Sequence, residues 1–282
     1  MQRTPRSLPH FRVAHPIIGM VHLRQLLGGG TAEQNTAVVA ENIYRDAVSD
    51  TKTLVAGGVD AIMIENNYDV PHREQISPET TAMFAAAAVQ VRAAAPNVPL
   101  GICVLWNDYR AAFGIAKAVN AQFIRIPTLV DTVRTAYGEM YPNPEEVQRV
   151  RALLHANGIG VFADVHVKHA EILSSYSLKE SSQRAVAAGA DALIVTGKWT
   201  GDPPTASDLQ EVRAATEAPV IVGSGATQGN IKELFLHADG IIVGTALKQG
   251  KSVSKEEQVN LKSSDQRIDQ TLVQSFMQAA RA

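Results

Sequence analysis

Apolar residues gather in eight short runs along the chain, at residues 17–23, 61–65, 100–105, 123–126, 161–165, 192–196, 220–223 and 241–244. Apolar character this continuous, over so few residues, is the pattern of strands buried on both faces in a parallel sheet. The segments between them start and stop like helices. Ser77-Pro78-Glu79 places a capping hydroxyl, a first-turn proline and a dipole-matched acid ahead of an alanine-rich run that closes near Pro96. Asn143-Pro144-Glu145-Glu146 repeats that arrangement, with a stop predicted at Gly158. Ser177 with Glu180, and Ser207 with Gln210, have capping-box spacing.

Two strands are entered by similar phrases, Ala56-Gly57-Gly58-Val59-Asp60-Ala61 and Ala188-Gly189-Ala190-Asp191-Ala192, where glycine ends a helix and a tight turn re-enters the sheet. Strands and helices that alternate throughout, with no separate second domain, predict a single (β/α)₈ TIM barrel in preference to an open doubly wound sheet. The barrel is assigned to residues 16–282, after a leader of residues 1–15. It includes a C-terminal helical segment in which Ile268, Leu272, Val273 and Phe276 recur at helical spacing, either to close the barrel or to meet a second copy in a homo-oligomer. Two connections, residues 127–143 and 165–177, are longer than the alternation needs. Both leave C-terminal strand ends, where barrel active sites lie, and are candidate lids or substrate walls.

Composition narrows the ligand. The formal net charge of -2, from 26 Lys and Arg against 28 Asp and Glu, leaves no basic excess for nucleic acid, so the expected partner is a small molecule. The single cysteine, Cys103, excludes an intrachain disulfide and favours a reducing, cytoplasmic setting. The most apolar stretch, residues 82–95, is interrupted by Gln90 and Arg92 and reads as a packed helix, not a membrane span; peripheral membrane association stays open. Arg3, Arg6 and Arg12, without an acid among them, give the leader the look of a targeting peptide, but the first strand follows so closely that little is left to cleave.

The fifth run carries the densest chemistry. Val161, Ala163, Val165 and Val167 share one parity and suit packing against helices, whereas Phe162, Asp164, His166 and Lys168 share the other and should face the barrel interior or its mouth, with His169 just beyond. These groups supply proton donors and acceptors, or a carbonyl-reactive amine. The alternative is structural: Asp164 anchors a neighbour and His166 caps a loop. Arg125, between Ile124 and Ile126, should also face inward, either paired with Asp164 or binding an anion.

Other strand ends add His22, Glu65, Asn107, Asp108, Thr196 and Lys198; Asn107 or Asp108 equally suits a helix cap. His22 and Glu65 would complete the catalytic wall opposite Asp164, His166 and Lys168. These side chains could share a divalent metal, although no tight metal motif is present and no other cofactor is indicated. After the seventh and eighth strands come Gly223-Ser224-Gly225 and Gly244-Thr245, glycine turns at the positions where barrels hold a phosphate on backbone N–H groups; two tight turns are the plain alternative.

Several of these strings, Ile18-Gly19-Met20-Val21-His22-Leu23, Phe162-Ala163-Asp164-Val165-His166-Val167-Lys168-His169-Ala170, Val222-Gly223-Ser224-Gly225 and Asp239-Gly240-Ile241-Ile242-Val243-Gly244-Thr245 among them, resemble the BtpA/SgcQ family over residues 16–250. The resemblance implies a ribulose-phosphate-binding-like TIM barrel. Cyanobacterial members of that family are associated with photosystem I biogenesis at the membrane periphery, and SgcQ-type members with sugar uptake and metabolism. The chain departs from the family pattern at residues 25–30, at Pro127-Thr128-Leu129 and in a longer C-terminal part, residues 252–282.

Together these features point to an enzyme, an isomerase, epimerase or aldolase, acting on a small phosphorylated, sugar-derived metabolite by acid–base or Schiff-base chemistry. A non-catalytic biogenesis factor and a sugar-phosphate sensor are the other readings; fold by itself does not choose among them.

Overall fold

The computed structural model describes residues 4–29, 36–250 and 264–282. Arg3 of the leader, Gly30 of the first loop and residues 252–263 of the C-terminal part lie outside the described residues.

All eight apolar runs become strands of one barrel, and the two long connections contribute three more strands. In chain order the strands are β1 (Ile17–His22), β2 (Ala61–Glu65), β3 (Leu100–Cys103), β4 (Phe123–Ile126), β5 (Val133–Thr135), β6 (Gly138–Met140), β7 (Gly160–Val165), β8 (Ala170–Ile172), β9 (Ala192–Val195), β10 (Val220–Val222) and β11 (Gly240–Val243). The helices are α1 (Thr36–Gly57), α2 (Pro78–Ala94), α3 (Tyr109–Ala118), α4 (Pro144–Leu153), α5 (Leu178–Ala187), α6 (Ala206–Ala215), α7 (Ile231–Phe235) and α8 (Gln270–Arg281). The ring β1-β2-β3-β4-β7-β9-β10-β11 is parallel and closes by pairing β11 with β1. Parallel closure buries both faces of every strand, which explains why the runs lack alternation.

Helix boundaries follow local chemistry. Ser77 and Asn143 cap α2 and α4, and Ser177 with Glu180 forms a complete capping box on α5. On α6 the box belongs to Thr205 and Asp208, not to Ser207 and Gln210. Pro203 and Pro204 end the preceding loop there, so the first hydroxyl after them takes the cap and Ser207 falls inside the helix. Helix α4 stops at Leu153, and His155, with φ of 48°, makes the left-handed turn assigned by sequence to Gly158.

The core has two layers. Outward residues of the strands, such as Val161, Ala163 and Val165, pack under the helices, while Phe123, Phe162, Met63 and Ile221 fill the interior. Phe123 and Phe162 stack with ring centroids 4.6 Å apart. Gly101 is required beside them, since a Cβ there would meet the Phe123 ring at 2.1 Å. Leu8 and Phe11 of the leader join this inner cluster, with Phe11 stacked on Phe162, and Arg6 donates to the carbonyls of Arg213 and Ala218. The segment before β1 is thus packed on the barrel floor.

At the opposite end β5, β6 and β8 form a small antiparallel sheet over the mouth. It rests on an apolar cluster of Trp106, Val133, Met140 and Val167, with Tyr137 packed against it. Helix α8 buries Val273, Phe276 and Met277 against the barrel and packs on α1. The chain leading into it is clasped: Asp269 donates its N–H to Leu247, and Arg267 pairs with Asp50 at 3.1 Å. No helix among the described residues is long and apolar enough to cross a membrane.

Candidate functional site

Strand register assembles the floor of the site. His22 is paired with Glu65, Glu65 with Cys103 and Cys103 with Arg125, so four successive strands, β1 to β4, present one row of side chains at the same level. Directly paired residues of parallel strands face the same way, and buried Cys103 belongs to the interior cluster. Arg125 grips Asp164 of the next strand with two bonds, Nε to Oδ1 at 2.7 Å and Nη2 to Oδ2 at 2.8 Å. Its remaining nitrogen, Nη1, lies 3.6 Å from Glu65, which in turn lies 3.7 Å from His22. The row is a continuous chain of ionisable groups, hydrogen-bonded where Arg125 meets Asp164.

Burial and these charges set the protonation states. Burial opposes the Arg125 charge, but the Asp164 carboxylate outweighs it and pushes the guanidinium pKa up. Burial, helped by Lys248, Lys168 and Arg125, holds His22 well below its ordinary value, so its imidazole is neutral at physiological pH. The Cys103 thiol is pushed well above its usual range by burial and by Glu65. Half-buried Lys168 lines the mouth, and burial with the Arg125 charge lowers its amine to about 8.

These groups open into one cavity of about 1140 Å³, lined by His22, Glu65, Arg125, Lys168, His169 and Lys198 and by the loops after β10 and β11. Gly223, Ser224, Gly225, Gly244 and Thr245 all border it. Among the described residues, the N–H groups of Gly225, Ala226, Thr245 and Ala246 take no protein acceptor. The Ser224 hydroxyl is committed: it accepts from Gly197 N–H at 2.9 Å and donates to the Asp202 carbonyl at 2.7 Å. Gly225, with φ of +71°, lets this loop fit against the loop after β9, since a Cβ would meet the Pro203 backbone at 2.0 Å.

Five residues expected at the site do not line the cavity. His166 turns away: strand geometry ends at Val165, and the left-handed φ of 49° at His166 breaks the alternation that would have pointed it inward. Its ring meets the Tyr176 carbonyl at 3.3 Å and its N–H reaches Asp131. Val167 consequently joins the cluster under the lid instead of the helix-facing layer. Asn107 bonds both ways with the Thr128 backbone, and Asp108 caps α3 while accepting from Ile76, so neither lines the cavity. Thr196 sits behind the wall, its hydroxyl accepting the Lys168 N–H at 3.0 Å, which makes it a positioning residue. Asp164 is buried beneath the floor and acts through Arg125. Among the described residues no group of three His, Cys, Asp or Glu side chains is placed to hold a metal ion.

Sequence reasoning missed Lys248, Tyr68, His72, Trp106 and Trp199, all of which line the cavity. Lys248 is 2% exposed; its amine donates to the Tyr68 hydroxyl at 3.3 Å and stands 5.4 Å from the ring centroid. It follows the eighth-strand turn and is held in place by pairing with Ile268, a contact no local signal announces. The others ride on the loops after β2, β3 and β9.

The BtpA family model matches residues 13–281 of the chain. An uncharacterized protein of Thermococcus kodakarensis is 40% identical over 243 residues, covering 86% of this chain and 90% of the relative. The photosystem I biogenesis protein BtpA of Synechocystis is 34% identical over 248 residues, 87% of this chain and 84% of its own. In structure, phosphoribosyl anthranilate isomerase from Thermus thermophilus shares the fold with a TM-score of 0.54 at 13% identity, over 94% of this chain and 98% of the other. With the barrel, the filled floor and the glycine loops in place, this chain is a member of the BtpA family.

Proposed function

We propose that the protein is an enzyme that moves a proton on a small phosphorylated, sugar-derived metabolite. The observation that carries this reading is one cavity in which a lysine of lowered pKa faces two glycine loops with unused backbone N–H groups. The loops after β10 and β11 would hold the phosphate on the N–H groups of Gly225, Ala226, Thr245 and Ala246 and on the Thr245 hydroxyl. Lys248, buried beside them, supplies positive charge.

With the phosphate anchored there, the sugar carbons extend over the floor toward Lys168. The neutral amine would take a proton from the carbon next to a carbonyl and return it as ammonium, the exchange an isomerase or epimerase needs. The Arg125 Nη1 and the neutral His22 would donate hydrogen bonds to oxygens that gain charge. The same amine could instead condense with a carbonyl, losing water, as an aldolase requires. The ionisable floor supports an enzyme above a pure assembly factor, which has no use for a charged row at one barrel end.

Thermal-shift screening tests the reading. Inorganic phosphate and sugar phosphates should raise the melting temperature of the native protein and not that of a Thr245→Glu variant, whose carboxylate would repel the anion. A failure of every phosphorylated compound to shift the native protein would refute it. Borohydride trapping with carbonyl substrates separates the two chemistries: an adduct on Lys168 marks a Schiff base, and its absence leaves proton transfer.

A further inference from the structure

The cavity is larger than a sugar phosphate needs, and its walls differ. Binding sites for small ligands span about 300–1,000 Å³, and this one, at about 1140 Å³, continues past the polar floor. In the ring order, β3 and β4 lie across the barrel from β10 and β11. The loops on that far side bring Trp106 after β3, Tyr137 from the β5–β6 turn and His72 from the loop after β2. Trp199 and His169, with ring centroids 5.5 Å apart, flank them above β7 and β9. Both tryptophans of the chain line this one cavity.

The far wall presents the rings of Trp106 and Tyr137, backed by a buried cluster in which Trp106 packs with Val133, Met140 and Val167. His72 meets the Tyr137 ring edge to face at 5.2 Å. The hydroxyls of a polyol set against such a wall would lose water without finding partners. A planar ring loses little, because its faces stack on aromatic side chains. Polar groups still wait at the margin: His72 and Asn67 line the cavity, and each carries a buried nitrogen with no hydrogen-bond partner among the described residues. These nitrogens are the candidate partners for a ring substituent.

We propose that the substrate is a sugar phosphate bearing a planar nitrogen-containing ring, of the nucleoside 5′-monophosphate class, with the phosphate at β10 and β11, the sugar over the floor and the ring on the Trp106–Tyr137–His72 wall. This rests on the phosphate reading above and adds the identity of the other end.

Isothermal titration and tryptophan quenching, on the full chain, compare inorganic phosphate, ribose 5-phosphate, uridine, UMP and AMP. UMP or AMP should bind at least about tenfold more tightly than ribose 5-phosphate, the scale of one base–aromatic stack, and quench the tryptophan emission. In Tyr137→Leu and Trp199→Leu, neither of which opens the barrel interior, that preference should fall to near unity while ribose 5-phosphate affinity holds. Equal affinity for ribose 5-phosphate and both nucleotides overturns the ring wall and leaves the phosphate site standing. Uridine binding as tightly as UMP overturns the phosphate site and leaves the ring wall. Binding of none of the five overturns both.

Discussion

The amine of Lys168 should titrate near pH 8, since its pKa is lowered to about 8 first by burial and then by the Arg125 charge, with Glu65 and Asp164 opposing. An ordinary lysine, at about 10.4, is roughly 0.4% free amine at pH 8, whereas Lys168 would be about half free, a gain of about 100-fold in the reactive form. Competitive acetylation across a pH series, read by mass spectrometry on the Lys168 peptide, measures the midpoint directly. Neighbouring charges give the sign of each variant: Glu65→Gln removes a group that holds the pKa up, so the midpoint falls, and Arg125→Met removes one that holds it down, so the midpoint rises. The shift also links to stability. Between about pH 8 and 10.4 the folded chain binds fewer protons at Lys168 than the unfolded chain, so unfolding free energy should rise with pH in that window. The destabilisation is fully present below pH 8, and Lys168→Met should be more stable than the native protein at pH 7. A midpoint at or above 10 would refute the reasoning, because it would mean that neither partial burial nor the Arg125 charge acts on the ammonium.

Three further outcomes follow from the same geometry. Asp164→Ala leaves the Arg125 guanidinium, 6% exposed, with only Glu65 at 3.6 Å, and should cost about 3–5 kcal/mol in urea unfolding; a loss under 1 kcal/mol would show that Glu65 replaces the lost partner. Gly225→Ala places a Cβ against the Pro203 backbone at a positive φ and should cost about 2–4 kcal/mol while abolishing the phosphate-induced thermal shift. Cys103, buried and with its thiol pKa raised, should resist thiol reagents in the native state and react only on unfolding; labelling at the rate of a free thiol would contradict its placement.

How much of this was legible in the sequence depends on whether a feature is local. The eight strands were, because burial on both faces demands continuous apolar runs, and so were most helix starts, since a cap such as Ser77 or Ser177 acts within three residues of itself. Arg125 and Asp164 were readable as inward-facing because each charge sits in a strand whose other face must meet helices, while the choice between their pairing and anion binding was left to the structure. His166 was misplaced because alternation was carried one residue beyond the strand that enforces it, into a left-handed turn. The capping box on α6 was shifted because Ser207 and Gln210 have the right spacing and the start after Pro204 decides the position.

Tertiary structure alone decided the rest. The row His22, Glu65, Cys103 and Arg125 exists because four strands, far apart in the chain, meet in one register. Lys248 enters the cavity because the chain before α8 returns to pair at Ile268, and Trp106, Tyr137 and His72 converge because their loops end at one mouth. The sequence therefore determined the barrel and the polar character of its working end, since burial and capping are written residue by residue. Which polar groups touch, what pKa they acquire and what shape of ligand they admit depend on distances across the closed ring, which no local pattern encodes.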